Sequence, residues 1–75
     1  MPYNRMIVGH VIGMLREQKG FTQEVLSGLA GISRSHLTLI ENGRKTLRLS
    51  TLWQIADALQ IAPSAIIAMA ESKQY

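Results

Sequence analysis

The sequence predicts an all-α fold of five short helices in one domain. Apolar residues recur at helical spacing through most of the chain. Capping residues, glycines and one internal proline divide that pattern into segments. No stretch alternates with period two for long enough to build a sheet, "TLRLST" being too short. At 75 residues the chain is near the lower limit at which a single core holds without staples, so compact helices or a partner subunit are expected.

The first helix is expected over 5–19. Val8, Ile12 and Leu15 make its inner stripe and Gly20 stops it, while Ile7, Val11 and Met14 form a second stripe that widens the apolar face. Gly9 and Gly13 have the small-xxx-small spacing that lets helices approach closely, a weak signal when it stands alone. The apolar run "MIVGHVIGML" is broken by His10 and falls short of the ~20 residues that cross a bilayer, so it reads as a core helix and no membrane role is expected. A second helix is expected over 22–30. Thr22 is its N-cap, Glu24 sits in the first turn where the dipole favours an anion, and Val25 or Leu26, with Leu29, face inward before Ala30-Gly31 ends it.

The third helix, 33–41, starts at the N-cap Ser33 and ends before the turn signal Asn42-Gly43. A helix this short is unstable alone, so Leu37 and Ile40 must hold it by packing. The connection "GRKTLRLS" follows. The fourth helix is capped by Ser50 or Thr51 and carries Leu52, Ile55, Ala56 and Leu59 on one face. Trp53 stands beside that stripe, as a half-buried core residue or, alternatively, as a subunit contact. The fifth helix begins at Pro63, presents Ala65, Ile66 and Met69, and gives way to a frayed tail over 71–75.

The chain has no cysteine, which removes disulfides and thiolate metal sites and makes a reducing cytoplasm the expected compartment. The formal net charge is +3 and the pI near 9.8. The positive excess belongs to the middle: over 31–50, Arg34, Arg44, Lys45 and Arg48 face a single acid, Glu41. So focused a basic patch suits a polyanion, although a charged loop can also be merely solvated. The spacing of helices two and three adds the decisive feature. Two short helices about a glycine turn, the second polar at its head and apolar further on, make a helix-turn-helix pattern. In such a unit the second helix enters the DNA major groove N-terminus first. Arg34, Ser35 and His36 gather at the head of helix three, and Leu37 and Ile40 turn to the core.

"TQEVLSGLAGISRSHLTLIENGRK", followed by "STLWQIADALQIAPSAI", resembles the phage repressor and Cro type of helix-turn-helix domain, the XRE family, over about residues 6–68. The resemblance implies a lambda-repressor-like DNA-binding fold, double-stranded DNA as partner and a role in transcription regulation. A chain of this size resembles in particular the small controller proteins of restriction–modification systems. Carried over by position, the base-reading residues are Arg34, Ser35, His36 and, one turn on, Thr38 or Leu39. Arg34 suits a bidentate contact to guanine O6 and N7, worth roughly 1–3 kcal/mol of discrimination. His36 either contacts base or phosphate or is simply solvated. Thr22 and Gln23 open helix two, where the resemblance has the glutamine anchor to a phosphate and brace the recognition helix. Ser33, Asn42, Arg44, Lys45 and Arg48 fall where the family follows the sugar-phosphate backbone, contacts that set register without reading sequence. Arg16 and Glu41 fall on the positions of a partly buried structural ion pair, whose disruption would cost roughly 3–5 kcal/mol. Three residues depart from the family's usual pattern. Ser27 replaces a small apolar residue and needs its hydroxyl bonded back to a carbonyl, Leu39 takes an often polar position, and Trp53 lies outside the core stripe.

Three or four base contacts specify too little sequence to find one site in a genome. A homodimer on a pseudo-palindromic operator is therefore expected, with Trp53, Ile66, Ile67, Met69 and the second stripe of helix one as candidate interface. The resemblance puts helix five first among these. Catalysis is not expected. Ser33 and His36 are three residues apart on a helix, but there is no nucleophile elbow and no glycine-rich phosphate loop, and two histidines give no metal spacing. No cofactor, metal or small-molecule ligand is called for. The alternative reading is an antitoxin-type or other protein-binding module that also binds DNA. It expects chain beyond the helix-turn-helix to wrap a partner, for which 70–75 is short.

Overall fold

The computed structural model describes residues 2–74. Its five helices are α1 (Arg5–Gln18), α2 (Gln23–Ala30), α3 (Arg34–Glu41), α4 (Leu49–Leu59) and α5 (Pro63–Gln74), and no strand occurs among the described residues. They share one core. Val11 and Ile12 of α1, Leu26 of α2, Leu37 and Ile40 of α3, Ile55 and Leu59 of α4 and Ile66 of α5 are all fully enclosed. Helix α1 packs on both α3 and α5, which explains its widened apolar face: Val11, from the second stripe, is as buried as Ile12 from the first. Helix α4 packs on α2 and α5, closing the far side.

The helices begin and end where local chemistry supplies partners for their free backbone groups. The Asn4 side chain accepts from the Met6 and Ile7 N–H groups, Thr22 from Val25 N–H and Ser33 from His36 N–H. At the start of α4 the expectation fails. The helix begins two residues earlier than a Ser50 cap requires and three earlier than a Thr51 cap, with Arg48 at the N-cap and no side-chain capping bond. Ser50 and Thr51 instead lie in the first turn, and Thr51 is buried there.

Helix α2 also turns differently from expectation. Leu26 faces the core, but Val25 and Leu29 point outward, Leu29 remaining 59% exposed. Ser27 and Ala30 take the inner places beside Leu26, where α2 lies against α3 and α4. The Ser27 hydroxyl donates to the Glu24 carbonyl at 3.1 Å, which satisfies the one polar group that this packing buries. At the other end of the chain, the helical backbone continues through Gln74 where a frayed tail was expected from 71; Tyr75 lies outside the described residues. Ala70 is seated in the core, and extending a helix already anchored there costs little.

Helix α1 comes close to the C-terminal turn of α3. A Cβ at Gly9 would overlap the Ile40 carbonyl oxygen, and one at Gly13 would stand 3.2 Å from Glu41 Oε1. The small-xxx-small spacing therefore marks a real contact. Because the atom in the way at Gly9 is backbone, it cannot swing aside. Gly9→Ala is expected to destabilise the fold by about 1–3 kcal/mol, read as a shift in urea midpoint. The ordinary outcome of glycine-to-alanine in a helix, a gain of ~1 kcal/mol, would show that α1 and α3 do not pack this closely.

Candidate nucleic-acid interface

Helices α2 and α3 are joined by Gly31, Ile32 and Ser33. Gly31 adopts the left-handed conformation, φ 73° and ψ 29°, that lets the chain reverse immediately after α2. Its N–H donates to the Gly28 carbonyl, and Ile32 N–H reaches back to Ser27 O at 3.0 Å. From α4, Gln54 Nε2 donates to the Ala30 carbonyl at 3.2 Å, covering a further free acceptor at the end of α2. Sequence reasoning missed Gln54, since nothing local marks a side chain that caps a helix elsewhere in the chain.

One polar network fixes how α3 lies on the rest. Arg16 Nε donates to Glu41 Oε2 at 2.8 Å and Arg16 Nη2 to Glu41 Oε1 at 3.1 Å, a two-pronged pair whose side chains are 15% and 8% exposed. The same guanidinium donates through Nη1 to the Phe21 carbonyl at 2.8 Å, tying down the α1–α2 connection. Its hydrogen bonds to the carboxylate raise the Arg16 pKa further above its ordinary value, so it is charged at every accessible pH. Gln23 joins from α2: Nε2 donates to Glu41 Oε1 at 3.1 Å, and Oε1 accepts from the Thr38 hydroxyl at 3.0 Å. The Thr38 proton has a second acceptor, the Arg34 carbonyl at 3.0 Å, and serves one at a time.

With its C-terminal end held, α3 presents its head. Arg34 and Ser35 are exposed, His36 and Thr38 half-buried, and Leu39 lies on the outer side, while Leu37 and Ile40 are enclosed. The Thr22 and Ser33 hydroxyls cap their helices as acceptors, which leaves each a proton to donate outward. Beyond α3 the exposed Asn42, Arg44, Lys45 and Arg48 follow in the connection to α4. Two of these cations reach back electrostatically: His36 is held below its usual 6.5, first by burial and then by the charges of Lys45 and Arg48. The charges of the basic connection are therefore felt at the head of α3.

The expected interface residues separate. Ile66 is 0% exposed within the single chain, so it has no surface to offer a second subunit; its side chain is spent on the core. Met69 is half-buried against that core. Ile67 is 45% exposed and Trp53 55%. Trp53 is thus not a core residue, because the inward arc of α4 is filled by Leu52, Ile55, Ala56 and Leu59. It forms a shallow surface with Leu49 and Ser50. Among the described residues no group of acidic, histidine or cysteine side chains could hold a metal ion, and no single helix is long and apolar enough to cross a membrane.

Two short helices set by a glycine turn, with a polar, basic head on the second, form a helix-turn-helix DNA-binding unit. The chain belongs to the helix-turn-helix family HTH_3, the XRE type, whose family model matches residues 12–66. It is 36% identical over 58 residues to an HTH-type transcriptional regulator of Sinorhizobium fredii, covering 77% of this chain and 75% of that protein. It is 44% identical over 62 residues to the immunity repressor of Bacillus phage phi105, covering 83% of this chain but only 43% of the repressor's length. Among solved structures, the restriction–modification controller protein C.AhdI from Aeromonas hydrophila superposes with a TM-score of 0.81 at 32% identity, over 83% of this chain and 94% of that one. The clp gene regulator ClgR of Corynebacterium glutamicum shares the fold over 100% of this chain and 97% of its own, with a TM-score of 0.91 at 24% identity. The family consists of regulators of transcription that bind double-stranded DNA, and it is not a class of enzymes.

The lowered His36 pKa has a definite sign. The fold disfavours the charged ring, so the stability His36 contributes is fully present above its unfolded value of 6.5 and is lost as pH falls through the lower folded value. An NMR titration should place the His36 midpoint below 6.5, and Lys45→Ala should move it upward. A midpoint indifferent to Lys45 would separate the basic connection from the α3 head.

Proposed function

We propose that this chain is a cytoplasmic, sequence-specific regulator of transcription that works as a homodimer on a pseudo-palindromic operator. The observation that carries this reading is the orientation of α3. Its far end is locked through Glu41 to Arg16 and Gln23, and its exposed head carries Arg34 and Ser35. In this reading the head enters the major groove, and Arg34 donates to guanine O6 and N7. Ser35, His36 and Thr38 meet neighbouring base edges, and Leu39 meets a thymine methyl. Thr38, whose proton is committed within the protein, takes part as an acceptor for a base amino group. Gln23 gives one Nε2 hydrogen to Glu41 and keeps the other for a phosphate. Thr22, Ser33, Asn42, Arg44, Lys45 and Arg48 complete the backbone contacts.

A second copy brings a second recognition helix, with half-sites about one helical turn apart. The exposed Leu49 and Trp53 share a shallow surface and the exposed Ile67 lines a groove with Leu49, which supports this face, with the half-buried Met69 of the same helix as Ile67, as the interface. Bound near a promoter, such a dimer blocks or recruits polymerase, and occupancy follows protein concentration through the dimer equilibrium. Trp53→Glu should convert the dimer to monomer in sedimentation velocity and weaken operator binding at low protein concentration. A Trp53→Glu protein that still sediments as a dimer would move the interface elsewhere.

The division of contacts is tested on operator and scrambled DNA together. Arg34→Ala is expected to lose roughly 1–3 kcal/mol on the operator and little on scrambled DNA. Lys45→Ala should weaken both alike and reduce the slope of log K against log salt by about one. Equal losses from the two variants on scrambled DNA would mean that α3 is not the reading helix.

A further inference from the structure

The start of the chain meets the basic connection at both ends, through the first turn of α1 at one and through the segment ahead of α1 at the other. At the start of that connection, Gly43 is buried with φ +70°, so close under α1 that a Cβ would stand 2.8 Å from Met6 Cα and 2.6 Å from Met6 Cγ. At its other end the Leu47 N–H donates to the Tyr3 hydroxyl at 3.3 Å. Asn4, between Tyr3 and the helix, caps α1 through the Met6 and Ile7 N–H groups and so fixes the path of the chain at Tyr3. The connection needs such support. Helix α4 begins at Leu49 with Arg48 at its N-cap and no side-chain capping bond, and an open groove of about 450 Å³, lined by Tyr3, Val8, Leu47, Leu49 and Ile67, lies beside this stretch of chain.

We infer that Tyr3 is a positioning residue for DNA binding: its hydroxyl holds Leu47, and with it the connection bearing Arg44, Lys45 and Arg48, in the shape in which those cations meet phosphates. The inference rests on the proposed backbone role of that connection. A segment ordered in advance loses less conformational freedom on binding. Loosening it leaves every charge in place, so the number of phosphates neutralised, and hence the salt slope, stays the same.

Tyr3→Phe keeps the ring and deletes only the hydroxyl. Fluorescence anisotropy on a scrambled duplex across a salt series should show about three- to tenfold weaker binding, the scale of one modest hydrogen bond, at unchanged salt slope. The melting temperature should stay close to that of the unsubstituted protein, and the Leu47 amide should exchange faster. In the same series Lys45→Ala weakens binding and lowers the slope by about one. If Tyr3→Phe binds like the unsubstituted protein while Lys45→Ala does not, the tie is overturned and the backbone role of the connection stands. If neither weakens binding, that role fails and the tie with it. In the double variant the Tyr3→Phe loss should shrink, because Tyr3 acts through the connection. Full additivity would make the Tyr3 hydroxyl a direct DNA contact and overturn its positioning role.

Discussion

The two-pronged pair between Arg16 and Glu41 is the constraint on which the rest of the recognition face depends. A helix of eight residues has no stable direction of its own, so where α3 points is decided by how its last turn is held. Glu41 stands at the C-terminal end of that helix, where the dipole disfavours an anion, and it is largely removed from water. Both costs are offset only by a partner that gives several well-aligned hydrogen bonds, which Arg16 does with Gln23 beside it. The glycines of α1 are part of the same device. Gly13 leaves space for the carboxylate and Gly9 for the Ile40 carbonyl, so the pair closes without spreading the helices.

Because the C-terminal end of α3 is committed to structure, its N-terminal end is left open for recognition. The same eight residues carry both tasks by dividing along the helix and around it. Leu37 and Ile40 fill the core, Glu41 locks the end, and Arg34 and Ser35 remain in solvent. Gln23 bridges the two tasks, since its carbonyl receives Thr38 from the reading side and its amide serves Glu41 on the structural side. A displacement at the ion pair would therefore be felt at the reading residues through two hydrogen bonds, without any change in those residues themselves.

Much of this was legible in the sequence because it is local. Thr22 and Ser33 announce their helices by residue type, Gly31 by its place after an apolar run, and the inward residues of α3 and α4 by periodicity. What failed was tertiary in origin. In α2 the apolar residues at 25, 26, 29 and 30 satisfy more than one inward arc, and only the closeness of α3 and α4 selects Leu26 with Ser27 and Ala30 over Leu29. Ile66 was expected at an interface and lies in the core, because its helix packs on both α1 and α4. The Arg16–Glu41 pair, 25 residues apart, came from the family resemblance, as no spacing rule links such positions. Asn4 had a readable signal, an asparagine directly before a helix start, whereas the Tyr3 bond to Leu47 spans 44 residues and had none.

The charge distribution connects these levels. Counted over the chain the excess is only +3, but the acids are not placed to neutralise the face that matters. Glu41 is turned inward and spent on Arg16, so Arg34, Arg44, Lys45 and Arg48 act without a nearby anion on their own segment. The lowered pKa of His36 comes first from burial, and Lys45 and Arg48 add to it by opposing a further positive charge beside them. In the free protein these charges are held together at some cost and screened by salt. Against a phosphate backbone the same arrangement becomes favourable, through attraction and the release of counterions. The fold thus turns Glu41 away from the recognition face to stabilise the helix, and by doing so leaves that face with the sign a polyanion requires.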